Sequence, residues 1–140
     1  MAKVKHCENC NTIFSPKYSK AKYCSLDCQA KHRVSKKYEH YLDNQEQYCN
    51  SNKALRFIKK HISREQSDCC SICQMKNIWN EKHLTLVLDH IDGNAANNTR
   101  DNLRLVCPNC DSQLDTYKSK NKNSARKNRY LLNYKNGKQS

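Results

Sequence analysis

The sequence predicts an α+β fold built from small, cysteine-stapled modules rather than around one large core. Three observations carry this expectation. Hydrophobic residues make up only 36% of the 140 residues and mean hydropathy is -1.07, so there is little apolar surface to bury. Ten cysteines supply the staples that thin cores need. Short β-prone runs alternate with stretches of helical spacing, and neither dominates.

The first element is residues 1–34. Cys7 and Cys10 form CENC, and Cys24 and Cys28 close CSLDC thirteen residues later. Two thiolates two residues apart make a knuckle whose backbone amides can support the sulfurs. Two such pairs supply the four soft ligands of a closed tetrahedral zinc site. The stretch KYCSLDC followed by KHR resembles treble-clef-like zinc fingers. The start, MAKVKHCENC, turns polar and basic within five residues, unlike a signal peptide. No apolar run approaches the roughly 20 residues that cross a bilayer. The expected setting is therefore a reducing cytoplasm, where CxxC pairs hold metal rather than disulfides.

Residues 35–66 read as a polar helical linker, with Leu55, Ile58 and Ile62 recurring at i, i+3 and i+7. Residues 67–120 then carry a second set, Cys70 and Cys73 (CSIC) with Cys107 and Cys110 (CPNC). CxxC spacing selects Cys70 over Cys69, which leaves Cys49 and Cys69 as free thiols. Four cysteines leave no open position, so both zinc ions are structural.

Between these knuckles Leu84 to Leu88 is an apolar, β-prone run ending in Asp89-His90. Asn102 to Val106 is a second short strand, and Asp-Gly-Asn marks the turn between them. DSQLDTYKSK after Cys110 reads as a helix, with Asp111, Leu114 and Lys118 on one face. In that helix Asp115 lies one turn beyond Asp111. The order is strand, loop, strand, helix, and the zinc clamp would bring Asp111 against the end of the first strand. Neighbouring strand residues face opposite ways, so the strand must break at His90 for Asp89 and His90 to share a target. Trp79 is expected to pack under the first strand, and Asp92, Asn94, Asn97 and Asn98 to be turn and loop formers.

Residues 121–140 form a basic tail, expected to be partly helical around Ser124 to Leu132. From Lys118 onward Lys118, Lys120, Lys122, Arg126, Lys127, Arg129, Lys135 and Lys138 appear with no acidic residue, in a chain of net charge +13. That clustering predicts a polyanionic partner, nucleic acid, held through phosphates without sequence readout.

At DHIDGN (89–94), NLRLVCPNC (102–110) and SQ-x-x-TY (112–117) the sequence resembles the HNH endonucleases, especially small free-standing bacterial and phage members. The resemblance covers about residues 53–121. It implies a zinc-stabilised, treble-clef-like ββα-metal domain and a divalent-metal-dependent endonuclease acting on double-stranded DNA. His90 would be the general base, because imidazole titrates near neutrality. Asp89 and Asp111 would hold one catalytic cation, Asn102 would brace the loop that orients His90, and Arg104 would meet a phosphate oxygen. Asp111 departs from the family pattern, in which a histidine commonly follows the last cysteine. An oxygen-rich pair suits Mg²⁺ or Mn²⁺. The resemblance leans toward a phage or mobile-element enzyme, homing- or restriction-like, working in an infected host as monomer or homodimer. The competing expectation is a non-catalytic, zinc-dependent DNA-binding protein, which differs only at Asp89, His90 and Asp111.

Overall fold

Cysteines and local polar bonds, more than apolar runs, decide where the elements begin. The computed structural model describes residues 3–128 and residue 131. It shows short helices and two-stranded sheets around two four-cysteine clusters, the expected α+β architecture. The chain divides into two units between Asp43 and Asn44. That boundary falls inside the stretch expected to be a linker.

The first unit holds β1 (Lys5–His6) antiparallel to β2 (Ile13–Phe14), then α1 (Leu26–Asp43). Ser25 starts α1: its Oγ accepts the Cys28 N–H at 3.1 Å, satisfying one of the donors a helix start leaves open. Most of α1 is exposed; Cys28, Tyr38 and Tyr41 are its buried residues. Helix α1 thus runs straight across the expected module edge at residue 34.

The second unit opens with a 3-10 turn at Gln45–Tyr48 and α2 (Asn52–Glu65). Helix α2 buries Ala54, Ile58 and Ile62 and packs on the strand Leu103–Val106; of the face anticipated from spacing, Leu55 is only half-buried and Ala54 takes its place. A fully buried stripe makes it part of the core of this unit rather than a connector. The β3 (Ile78–Trp79) and β4 (Lys82–His83) hairpin follows, closed by Asn80 and Glu81 at φ 51° and 61°. Both central residues at positive φ are the signature of the tight turn that matches strand twist. Trp79 does not pack under a strand: it is 61% exposed on this hairpin. The reason is register, since Trp79 pairs with Lys82 in a ribbon whose residues are all exposed.

Strands β5 (Val87–His90) and β6 (Leu103–Val106) form the central antiparallel pair, aligning Val87 with Val106, Leu88 with Leu105, Asp89 with Arg104 and His90 with Leu103. Leu103, Leu105 and Val106 are almost wholly buried. Gln66 extends this ladder with its side chain. Its Oε1 accepts the Leu105 N–H at 2.9 Å, and its Nε2 donates to Leu105 O at 2.9 Å and Cys69 O at 2.8 Å.

Helix α3 (Pro108–Gln113) is shorter than expected. Leu114 is already extended at ψ 145°, so Asp115 lies beyond the helix instead of one turn along it. Tertiary bonds divert the chain here. Asn121 Nδ2 donates to Gly93 O at 2.7 Å and Asn123 Nδ2 to Asp92 O at 3.2 Å, which pulls residues 118–123 back over the turn that follows β5. Residues 125–128 are helical; Arg129 and the rest of the expected tail helix up to Leu132, apart from Leu131, lie outside the described residues, as do Lys135 and Lys138. Among the described residues no helix is long and apolar enough to cross a membrane.

Candidate metal centres and active site

Both cysteine clusters are built the same way, from a knuckle and a helix start. In the knuckles, the residue after the second cysteine takes positive φ, Asn11 at 59° and Gln74 at 61°. Its N–H closes the turn on the first cysteine's carbonyl, Asn11 to Cys7 at 2.9 Å and Gln74 to Cys70 at 3.0 Å. The helix half of each cluster comes from the first turns of α1 and α3, where partial positive charge favours thiolate. In α3, Pro108 opens the helix and Cys107 caps it, its sulfur accepting the Cys110 N–H at 3.4 Å.

The four sulfurs of Cys7, Cys10, Cys24 and Cys28 lie within 4.8 Å of one another, as do those of Cys70, Cys73, Cys107 and Cys110. Neighbouring sulfurs stand 3.5 Å apart for Cys24 and Cys28, 3.6 Å for Cys10 and Cys24, and 3.8 Å for Cys73 and Cys107. Ligands about 2.3 Å from a tetrahedral zinc are spaced by about 3.8 Å, so both cages fit a structural zinc ion. Their electrostatics agree. Burial alone would raise Cys7 and Cys70, but converging backbone N–H groups bring each down to about 6. Cys24 is held up at about 12, chiefly by sharing its proton with Cys28 and Cys10, and Cys110 at about 12, chiefly by burial and then by Cys107. Cys49 and Cys69 stand outside both cages, bonded to the carbonyls of Gln45 and Ser67.

The second cage anchors the candidate active site. Asp89 and His90 are the last residues of β5, and α3, which begins one residue after a zinc ligand, packs on that strand. Asp89 is 7% exposed, and Arg104 across the ladder donates its Nε to Asp89 Oδ2 at 2.7 Å. Arg104 was expected to face phosphate; here it faces Asp89. Asp111 lies in the first turn of α3. Burial, then the charge of Asp89, pushes its carboxyl above the usual range, and Lys118 pulls it partway back. The two carboxylates therefore feel each other across the strand–helix junction. Among the described residues the groups of three or more ligands within 4.8 Å are the two cysteine cages, so Asp89, His90 and Asp111 do not close on a point that tightly.

The strand ends at His90, and the loop after it is wired by asparagines. Asn102, 9% exposed, donates Nδ2 to Asp92 Oδ1 and to Asn97 O, both at 2.9 Å, and accepts the Asp92 N–H on Oδ1 at 2.9 Å. Asp92 also receives the Asn94 N–H and the Asn97 amide, each at 2.8 Å. Burial would raise Asp92, but the bonds from Asn97, Asn94 and Asn102 and the nearby His90 charge outweigh it and hold the carboxyl low. Sequence reasoning missed Asn98. It is fully buried, and its Oδ1 lies 2.9 Å from His90 Nε2. Nothing in NAANNT separates this asparagine from its neighbours, because its partners lie some fifty residues earlier.

One comparison with known proteins bears on this geometry. A 52-residue stretch is 44% identical to the H-N-H endonuclease F-TflIV of Escherichia phage T5. The match is partial. It covers 37% of this chain and 22% of the phage protein. No family model matches the chain, and no solved structure matches it. The likeness supports the HNH family and a nuclease of that type, in agreement with the resemblance drawn from DHIDGN and NLRLVCPNC.

Basic residues border the site. A groove of about 890 Å³ beside the Gly93 turn is lined by Gly93, Ala95, Lys118, Arg126 and Lys127, among others. Lys118, Lys120, Lys122, Arg126 and Lys127 are all exposed, and Arg129 lies outside the described residues.

Proposed function

We propose that the chain is a divalent-metal-dependent DNA endonuclease of phage or mobile-element type, hydrolysing phosphodiester bonds one strand at a time. One observation carries this reading: β5 ends on Asp89-His90, and α3, with Asp111 in its first turn, packs on that strand. A hydrolytic site needs a base and a charge stabiliser together, and a zinc-pinned junction is a rigid place for them.

The donor chemistry fits a hard cation. Two carboxylate donors suit Mg²⁺ or Mn²⁺ better than zinc. Asp89 and Asp111 would hold it. When bound, the ion would polarise a phosphoryl oxygen and steady the departing 3′ oxygen. His90 takes the proton of the attacking water. Asn102 keeps the turn behind His90 in shape through its reciprocal bonds with Asp92. Arg104 would trade its bond to Asp89 for a phosphate oxygen once a cation sits on that carboxylate. Lys118, Lys120, Lys122, Arg126 and Lys127 hold double-stranded DNA through phosphates, so affinity falls steeply with salt. Double-strand cutting would need a homodimer or two successive events on a monomer.

The Arg104–Asp89 ion pair is the observation that favours the second reading, a non-catalytic zinc-dependent DNA-binding protein. Supercoiled plasmid separates the two. With Mg²⁺ or Mn²⁺ the zinc-loaded protein should yield nicked or linear product, and His90→Ala should lose it. Binding without cleavage in either ion would establish the non-catalytic reading instead.

A further inference from the structure

His90 is held by a side chain that is itself held in only one orientation. Asn98 is fully buried, and its Nδ2 faces two backbone carbonyls, Tyr48 O at 2.9 Å and Ser51 O at 3.3 Å. An amide nitrogen only donates and a carbonyl only accepts. Turning the amide over would set its oxygen against both carbonyls, so Oδ1 must be the atom facing His90 Nε2 at 2.9 Å. An acceptor at that distance requires the ring proton on Nε2. A neutral imidazole carries one ring proton, so Nδ1 keeps the lone pair.

We propose that Asn98 is a positioning residue of the site: it fixes neutral His90 as the Nε2–H tautomer and leaves Nδ1 as the nitrogen that accepts a proton. The inference rests on His90 being the base of the proposed reaction, but the tautomer itself does not. Residues 45–51 thereby join the site's apparatus. They grip the loop on both sides of Asn98 as well, through the Asn50 N–H on Ala96 O at 2.8 Å and the Arg100 N–H on Gln45 Oε1 at 2.6 Å. A buried asparagine that only filled space would need one satisfied partner set; this one spans from the Gln45–Ser51 segment to the ring and dictates where the ring proton sits.

The test is a long-range proton–nitrogen correlation on the histidine rings of the isotope-labelled, zinc-loaded full chain, at a pH where the ring is neutral. His90 should show a protonated Nε2 and an unprotonated Nδ1; the reverse pattern overturns the proposal without any variant being made. Asn98→Ala should release the ring into a mixture of tautomers. In the plasmid assay the same variant should lower kcat roughly tenfold to a hundredfold, with DNA affinity changed less than about twofold, since a misoriented base forfeits part of the general-base contribution. Gln45→Ala loosens the same loop without touching the amide, and should leave the tautomer single. If it scrambles the ring as much as Asn98→Ala does, general loosening is the cause and the assignment to Asn98 fails. A single unchanged tautomer in Asn98→Ala also overturns it. Should the wild-type protein not cut plasmid at all, the proposed reaction fails while the ring measurement still decides this point.

Discussion

Gly93 holds φ +74°, and a Cβ there would meet Asn121 Oδ1 at 2.5 Å and Thr116 Cγ2 at 2.9 Å. Its N–H donates to His90 O at 2.7 Å, so the turn that follows the proposed base depends on this backbone shape. Gly93→Ala should destabilise the protein by about 2 kcal/mol, from positive-φ strain plus displacement of Asn121. An unchanged urea midpoint would show that the loop has room to spare. Asp92 sets a pH dependence beside it. Its folded pKa is depressed, chiefly by Asn97, Asn94 and Asn102 acting against burial, so its contribution is present above the ordinary carboxylate value of 3.8 and is lost as pH falls through the lower, folded value. Asp92→Asn should therefore be the less stable protein at neutral pH, with the gap to wild type narrowing below about pH 4. Urea titrations at several pH values, with zinc content followed in parallel, check this; a gap that widens in acid would contradict it.

Helix α3 has six residues, too short to stand in water by itself, and its start is fixed by Cys107, Pro108 and the second cysteine cage. Removing zinc with a chelator should therefore unfold α3 together with the β5–β6 pair, seen as lost protection of the amides in residues 103–113 from exchange. Retained protection would mean that apolar packing alone suffices. Gln66 is the other support of β6. Gln66→Ala leaves the Leu105 N–H without that acceptor and should cost about 1–3 kcal/mol, measured by chemical denaturation. These elements also show what the sequence could disclose. Helix α2 was legible from Ile58 and Ile62 because its stripe faces one core, although Ala54 rather than Leu55 completes the buried face. The β5–β6 pair was legible from its alternating Leu103 and Leu105 and from the Asp-Gly turn, although β5 begins at Val87 and not at Leu84 as the apolar run implied. The end of α3 was not, because Asn121 and Asn123 reach back to Gly93 and Asp92, and no local pattern announces such bonds. The β3–β4 hairpin escaped for a similar reason: its turn is Asn80-Glu81, not the Asn-Gly or Asp-Gly that usually marks positive φ.

Across the molecule, two units repeat one device, a knuckle closed on a helix start, with ten cysteines of which eight are committed to the cages. Metal analysis of the folded chain should return about two zinc ions, and a chain that folds with none would remove the frame on which the site stands. That frame was readable from spacing alone, because CENC, CSLDC, CSIC and CPNC impose it locally. Asp89, His90 and Asp111, the residues proposed as acids and base, could be singled out from the sequence, but the side chains that contact them could not be recognised as such: Arg104 on Asp89, and Asn98 on His90. Those partners come from across a ladder and from a buried amide anchored outside the motif. The most direct test of a shared cation is Mn²⁺ titration of the zinc-loaded protein, followed by electron paramagnetic resonance. One bound Mn²⁺ is expected in wild type and in His90→Ala, and none in Asp89→Ala or Asp111→Ala; a bound ion indifferent to both carboxylate substitutions, or no bound ion in wild type, would contradict it.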